Sequence, residues 1–94
     1  MTIVVAPKAR NDLREAYEYI HRDNPEAADR VLAHIVEIIG MLASGVMAGK
    51  EVLLRNGGRV HTWPVPPYRI YYRKGDEVFQ VVRVYHQARR PIER

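Results

Sequence analysis

The chain contains no cysteine, which excludes a disulfide framework, a thiolate nucleophile and a cysteine-ligated zinc site. It has no run approaching the roughly 20 apolar residues that a bilayer-spanning helix needs, so no membrane partner is expected. The N-terminal stretch MTIVVAPKARNDL returns to polar residues too early for a secretory signal, and a cytoplasmic location is the expectation. Repeats, low-complexity tracts and linkers are absent too. What is there is the composition of a folded protein: 94 residues, 47% hydrophobic and 28% charged, which suits a single globular domain over residues 1–94 with one modest core.

Acidic charge is scarce in one half of the chain. Residues 1–47 carry five Lys/Arg against seven Asp/Glu, whereas residues 48–94 carry ten against four. The formal charge of +4 is therefore a balance of −2 and +6. A basic second half suits an anionic partner, nucleic acid or an acidic peptide; the competing reading is a solvated basic surface.

The apolar period changes along the chain. TIVVA (2–6) reads as a strand closed by Pro7. Ala9, Leu13, Ala16, Tyr17 and Ile20 then recur at helical steps, with Asp12, Glu15 and Glu18 on the other face. Asp23-Asn24-Pro25 breaks this helix and starts another, with Asn24 as cap and Pro25 at the first helical position. Its stripe runs from Ala28 through Val31, Leu32, Ile35, Ile38, Ile39 and Leu42 to a stop at Ser44-Gly45. Strand patterns follow at 51–55 and 59–65 around Asn56-Gly57-Gly58, a hairpin signal, then at 68–73 after Pro66-Pro67, and at 77–86. Pro64 predicts an edge position or an early strand end. A helical hairpin covering one face of an antiparallel meander, with the other face partly open, is an α+β arrangement.

The segments ARNDLREAYEYI (9–20), NPEAADRVLAHI (24–35), PYRIYYR (67–73) and VVRVYHQARRP (81–91), in this order and spacing, resemble the RelE/ParE superfamily of toxins from type II toxin–antitoxin systems. The resemblance runs along nearly the whole chain. It implies a β-α-α-β-β-β fold, a helical hairpin packed on a small, mainly antiparallel sheet. It also implies a cognate antitoxin, no cofactor, and one of two targets: messenger RNA on the ribosome for RelE-like members, DNA gyrase for ParE-like ones. The loop SGVMAGKE (44–51) departs from the pattern, since relatives often place a proline before the glycine.

RNA cleavage by its own 2′-OH needs a base, an acid and cations around the phosphorane. If the chain is RelE-like, Arg69, Arg83 and His86 are the catalytic candidates: Arg69 and Arg83 as cations, His86 as the proton shuttle. Candidates for target or nucleic-acid contact are Lys50, Arg59, Tyr85, Arg89 and Arg90, with Tyr85 able to stack on a base. Each has a competing structural reading. Arg69 and Arg73 would be solvated strand residues or would pair with helix carboxylates such as Glu15 or Glu18, and Lys50 would be simply exposed. On strict alternation Tyr85 shares a face with Phe79 and Val81 and would pack in the core or at its rim, and His86 shares one with Val78, Val82 and Val84 and would be a structural imidazole hydrogen-bonded near the strand end. Trp63 would anchor either the sheet or an antitoxin. His21, His34 and His61 lack metal-ligand spacing, and no metal is assigned.

The RelE-like set is incomplete by that family's pattern. Residues 51–55 hold one basic residue, Arg55, the tail RRPIER has no tyrosine, and Tyr85-His86 reverses a terminal His-Tyr pair. RVYHQARRP is closer to the ParE-like ending. The expected function is thus a ParE-like toxin that inhibits DNA gyrase and is neutralised by its antitoxin. A RelE-like ribosome-dependent mRNA endonuclease is the alternative, and a non-toxic basic nucleic-acid-binding module is a second one.

Overall fold

The computed structural model describes residues 1–89, 92 and 93. Its elements are β1 (Thr2–Val5), α1 (Pro7–His21), α2 (Pro25–Ser44), β2 (Lys50–Leu53), β3 (Arg59–Val65), β4 (Tyr68–Lys74) and β5 (Val78–His86). The strands form one five-stranded sheet in the order β1-β5-β4-β3-β2. β1 runs parallel to β5, and the other neighbours are antiparallel. The α+β class follows directly. Four strands come after the helical hairpin, one more than the β-α-α-β-β-β formula counts, because the short β2 pairs with β3 across the Asn56-Gly57-Gly58 turn. Among the described residues no helix is long and apolar enough to cross a membrane.

The helix ends follow their sequence signals. Asn24 accepts the Ala27 N–H through its side chain at 3.0 Å, relieving one of the orphan donors of a helix N-terminus. Gly45 closes α2 at φ 85°, a left-handed cap that costs glycine little. α1 has no side-chain cap, and Pro7 opens it, where a missing N–H is harmless. Its inward residues Ala9, Asp12 and Ala16 are buried. Two of these are alanines, which let the helix lie close against β5. α2 contributes Ile35, Ile38, Ile39 and Leu42 to the main core, where they meet Tyr68, Ile70, Tyr72, Phe79, Val81 and Val84 from the sheet.

The opposite sheet face is only partly open. Leu54, Val60 and Tyr71 form a second buried cluster there, edged by Val52, Val82, Tyr85 and Ile92. Pro64 lies within β3, beyond Thr62, the last residue matched to β2. β3 is locally an edge at that point, so no outer strand needs the absent N–H. The start of β2 requires glycine. A Cβ on Gly49 would sit 2.2 Å from the Thr62 carbonyl oxygen, and the Gly49 N–H donates to the Tyr72 hydroxyl at 2.7 Å.

Strict alternation fails in the middle of β5. Tyr72 pairs with Val81 and Tyr71 with Arg83, which leaves Val82 as an extra residue. This is a β-bulge, two residues facing one, and it shifts the facing of everything after it. Tyr85 therefore does not share the face of Phe79 and Val81. It joins Val82 in the cluster on the open face, while Val84 stays in the main core. The expected grouping of His86 with Val82 is corrected by the same bulge: His86 pairs with Tyr68, a residue of the helix-side core.

Candidate functional site

On the β1 side, the end of β5 lacks a neighbour strand. β1 stops at Val5, and the last bond of that edge runs from the Ala6 N–H to the Val81 carbonyl at 2.9 Å. The next edge N–H, on Val84, would be orphaned, but the buried Asp12 carboxylate of α1 accepts it at 3.0 Å. The same carboxylate receives the Arg83 fork, Nε at 2.7 Å and Nη2 at 2.9 Å. Hydrogen bonding to Asp12 raises the Arg83 guanidinium above its ordinary value, against the opposing effect of burial. Arg83 in turn lies 5.0 Å over the Tyr85 ring, a cation–π distance. One helix carboxylate thus positions both the strand end and its aromatic.

On the open face, Arg69 stands beside Tyr85 by register and donates to Thr62 Oγ1 at 3.2 Å. A groove of about 710 Å³ runs past Lys8, Arg55, Arg73 and Arg83 over an apolar floor of Leu54, Val82, Tyr85 and Ile92. A smaller hollow of about 260 Å³ lies between Arg69, Tyr71, Arg89 and Glu93. The Tyr71 hydroxyl donates to the Glu93 carboxylate. Burial first, and then this carboxylate, push the Tyr71 hydroxyl above the tyrosine range.

The other face holds His86. Its ring stands edge-on to Tyr68 with centroids 5.1 Å apart, and its Nδ1 accepts the Ala88 N–H at 3.0 Å. Burial raises the Tyr68 hydroxyl, with Arg89 pulling the other way. A cleft of about 510 Å³ opens there between α1 and the strand end, lined by Glu15, Tyr19, Arg22, His86 and Arg89. Arg89 pairs with Glu15 at 3.5 Å and lies on the rim between the two faces.

The three catalytic candidates therefore do not converge. Arg69 and Tyr85 are on the open face, His86 is on the helix face, and Arg83 is committed to Asp12. Of the contact candidates, Tyr85 and Arg89 border the hollow with Arg69. Lys50 is exposed on the edge strand β2, and Arg59 pairs with Glu51 at 2.9 Å across the hairpin. Arg90 lies outside the described residues. Glu15 takes Arg89, and Glu18 lies 3.9 Å from Arg14, so the pairings expected for Arg69 and Arg73 with these helix carboxylates are replaced by others. Trp63 packs against the helix-side core.

Comparison with known proteins supplies the family. The model for the ParE toxin of the type II toxin–antitoxin system parDE matches residues 3–91. The chain belongs to the ParE toxin family. A solved chromosomal ParDE toxin–antitoxin system from P. aeruginosa is similar at TM-score 0.74 and 23% identity, over 92% of this chain and 95% of that one. At that identity the likeness speaks for the fold. The crystal structure of the toxin–antitoxin complex RelBE2 from Mycobacterium tuberculosis is similar at TM-score 0.60 and 29% identity, over 90% and 95% of the two chains. Comparison with curated proteins finds no match.

Within this ParE-family fold, sequence reading missed Asp12, which organises the strand end, and the separate Tyr71–Glu93 pair on the open face. Asp12 is expected on the outer face of α1 with Glu15 and Glu18, and the structure buries it instead; one signal of this was legible. Asp12 falls three positions after Ala9 and four before Ala16, on the inward stripe of α1, where an aspartate is rare unless paired. Tyr71 and Glu93 are 22 positions apart, with no local pattern to join them.

Proposed function

We propose that this chain is a growth-arresting toxin that acts in the cytoplasm by inhibiting DNA gyrase, and that a cognate antitoxin neutralises it. One observation carries the choice of target: the imidazole and the Arg69 guanidinium that RNA cleavage would need together lie on opposite faces of the sheet. Inhibition by docking needs no proton shuttle on the toxin. It needs a surface of definite shape and charge, and the open-face groove with Lys8, Arg55, Arg73 and Arg83 is such a surface. Complementary charge there would speed encounter and exclude wrong partners. Membership of the ParE family and the likeness to structures of toxin–antitoxin systems support the antitoxin as partner.

The 29% identity to the RelBE2 complex keeps a second reading in view, in which Arg69 and Arg89 hold an RNA backbone on the ribosome. Pulse labelling of DNA and protein synthesis just after induction separates the two. A prompt fall in DNA synthesis, with purified chain blocking gyrase supercoiling, is the expected result. A prompt fall in protein synthesis, with transcripts cut only while translated, would replace gyrase by the ribosome.

A further inference from the structure

Among the described residues, no strand pairs with the outer side of β1. The Thr2 N–H donates to the Glu77 carbonyl at 2.8 Å, and the Ala6 N–H to the Val81 carbonyl at 2.9 Å. Alternate residues of a strand turn their backbone groups to the same neighbour, so those of Ile3 and Val5 point outward. α1 leaves them clear, because it lies back on the end of β5, where Asp12 holds Arg83 and Val84. The side chains along this edge are apolar and open: Ile3 is 45% exposed, Val4 42%, and Val78 beside Thr2 46%. No charged side chain precedes Lys8. The other outer strand, β2, carries Lys50 and Glu51, the common protection of a free edge against pairing. β1 has no such protection. Its two ends differ in charge. Exposed Asp76 and Glu77 flank the Thr2 end and outnumber the Met1 ammonium there, whereas exposed Lys8 and Arg10 follow the Val5 end.

We infer that β1 is a self-association edge, through which two copies of this chain pair antiparallel about a two-fold axis at Val4. In that register Ile3 lies opposite Val5 of the second copy, and Val5 opposite its Ile3. Each of these pairs exchanges both N–H···O bonds, and Val4 meets its own counterpart in the closer, non-hydrogen-bonded pair between them. Pro7 has no N–H to offer and ends the ladder. Charge selects the direction and the occupant. Antiparallel pairing brings Lys8 and Arg10 of one copy to the Asp76 and Glu77 end of the other, while parallel pairing would bring like charges together. The edge is thus complementary to itself, as an interface between identical subunits must be. The axis stands perpendicular to the sheet, so the two sheets continue as one. Both open faces, each with Arg55, Arg69 and Arg73, then look to the same side. An edge this short gives a weak dimer, with a dissociation constant of about 10–100 µM.

The test is sedimentation of the purified full chain from about 1 µM to about 1 mM. The unmodified chain should pass from monomer to dimer as its concentration rises. Val4→Lys sets two ammonium groups directly opposite one another and should weaken the dimer at least about tenfold. Val4→Glu should do the same, and an equimolar mixture of the two variants should dimerise again. Val4→Cys is the conservative companion, its thiol the only one in the chain. Mild oxidation should link two of its copies about tenfold faster than copies of Val46→Cys, although Val46 is the more exposed at 72%. A chain that stays monomeric at the highest concentration overturns the inference. So does a dimer that Val4→Lys leaves intact, a mixture of the lysine and glutamate variants that remains monomeric, or linking of Val4→Cys no faster than that of Val46→Cys. The assay contains neither gyrase nor ribosomes, so the choice of target does not enter its outcome.

Discussion

At the residue scale the molecule depends on one carboxylate. Asp12 satisfies the Val84 N–H and both arms of Arg83, and its side chain is only 5% exposed, against 23% for Arg83. Removing one member of such a pair leaves the other desolvated and uncompensated, and that loss exceeds the net worth of the intact pair. Asp12→Ala is expected to cost about 3 kcal/mol in urea unfolding. Asp12→Asn should cost less, because its amide oxygen still accepts the Val84 N–H. Equal losses would show that the backbone contact contributes nothing. Tyr71 gives a pH signature. Its folded-state pKa lies above the ordinary value of 10.0, so the folded state holds the proton more tightly than the unfolded one. Its contribution is whole below pH 10 and is lost progressively above it. Tyr71→Phe should cost about 1 kcal/mol at neutral pH and should flatten part of the stability loss above pH 10. The raised Tyr68 accounts for a remaining slope of the same sign.

At the element scale, two glycines give opposite predictions for one substitution. Gly40 lies on the exposed side of α2, with nothing within 4 Å of the point where an alanine methyl group would sit. Gly40→Ala should raise stability by about 0.5–1 kcal/mol through helix propensity alone. Gly49→Ala puts a methyl group into the Thr62 carbonyl and should cost about 2 kcal/mol, with faster amide exchange confined to β2 and its partner residues in β3. Thermal unfolding of the two variants checks both signs. The elements themselves were legible, since caps, turns and hydrophobic periods act over a few neighbouring residues. Asn24-Pro25, Ser44-Gly45 and Asn56-Gly57-Gly58 each stand where the chain turns. The bulge at Val82 was not legible. VVRVYH alternates acceptably in either facing, and the extra residue is specified by what β4 and α1 place opposite it.

At the scale of the whole molecule, four of the ten cations of the second half, Arg55, Arg69, Arg73 and Arg83, line the hollows of one sheet face. The cations there differ in kind. Arg55 and Arg73 are exposed on the groove rim and Arg69 reaches Thr62, whereas Arg83 is part of the fold. Converting Arg55, Arg69 and Arg73 together to Gln should abolish growth arrest while shifting unfolding by no more than about 0.5 kcal/mol per site. Arg83→Gln should lower arrest and stability together. Growth arrest that persists in the triple variant, with its antitoxin absent, would move the target surface to the cleft of Glu15, Tyr19 and Arg22 beside α1.

Local chemistry by itself determined that the chain makes two helices, the second capped at both ends, followed by short strands, and it identified the second half as the cationic one. Those properties depend on periods, caps and turn residues that lie close together in sequence. Which face each side chain serves was decided only by the tertiary structure. A single bulge carries Tyr85 to the open face and sets His86 against Tyr68 on the other. A carboxylate 71 positions away in the chain claims Arg83. Facing and partnership come from long-range pairing of strands and helices, and one displaced residue in a period of two reverses them.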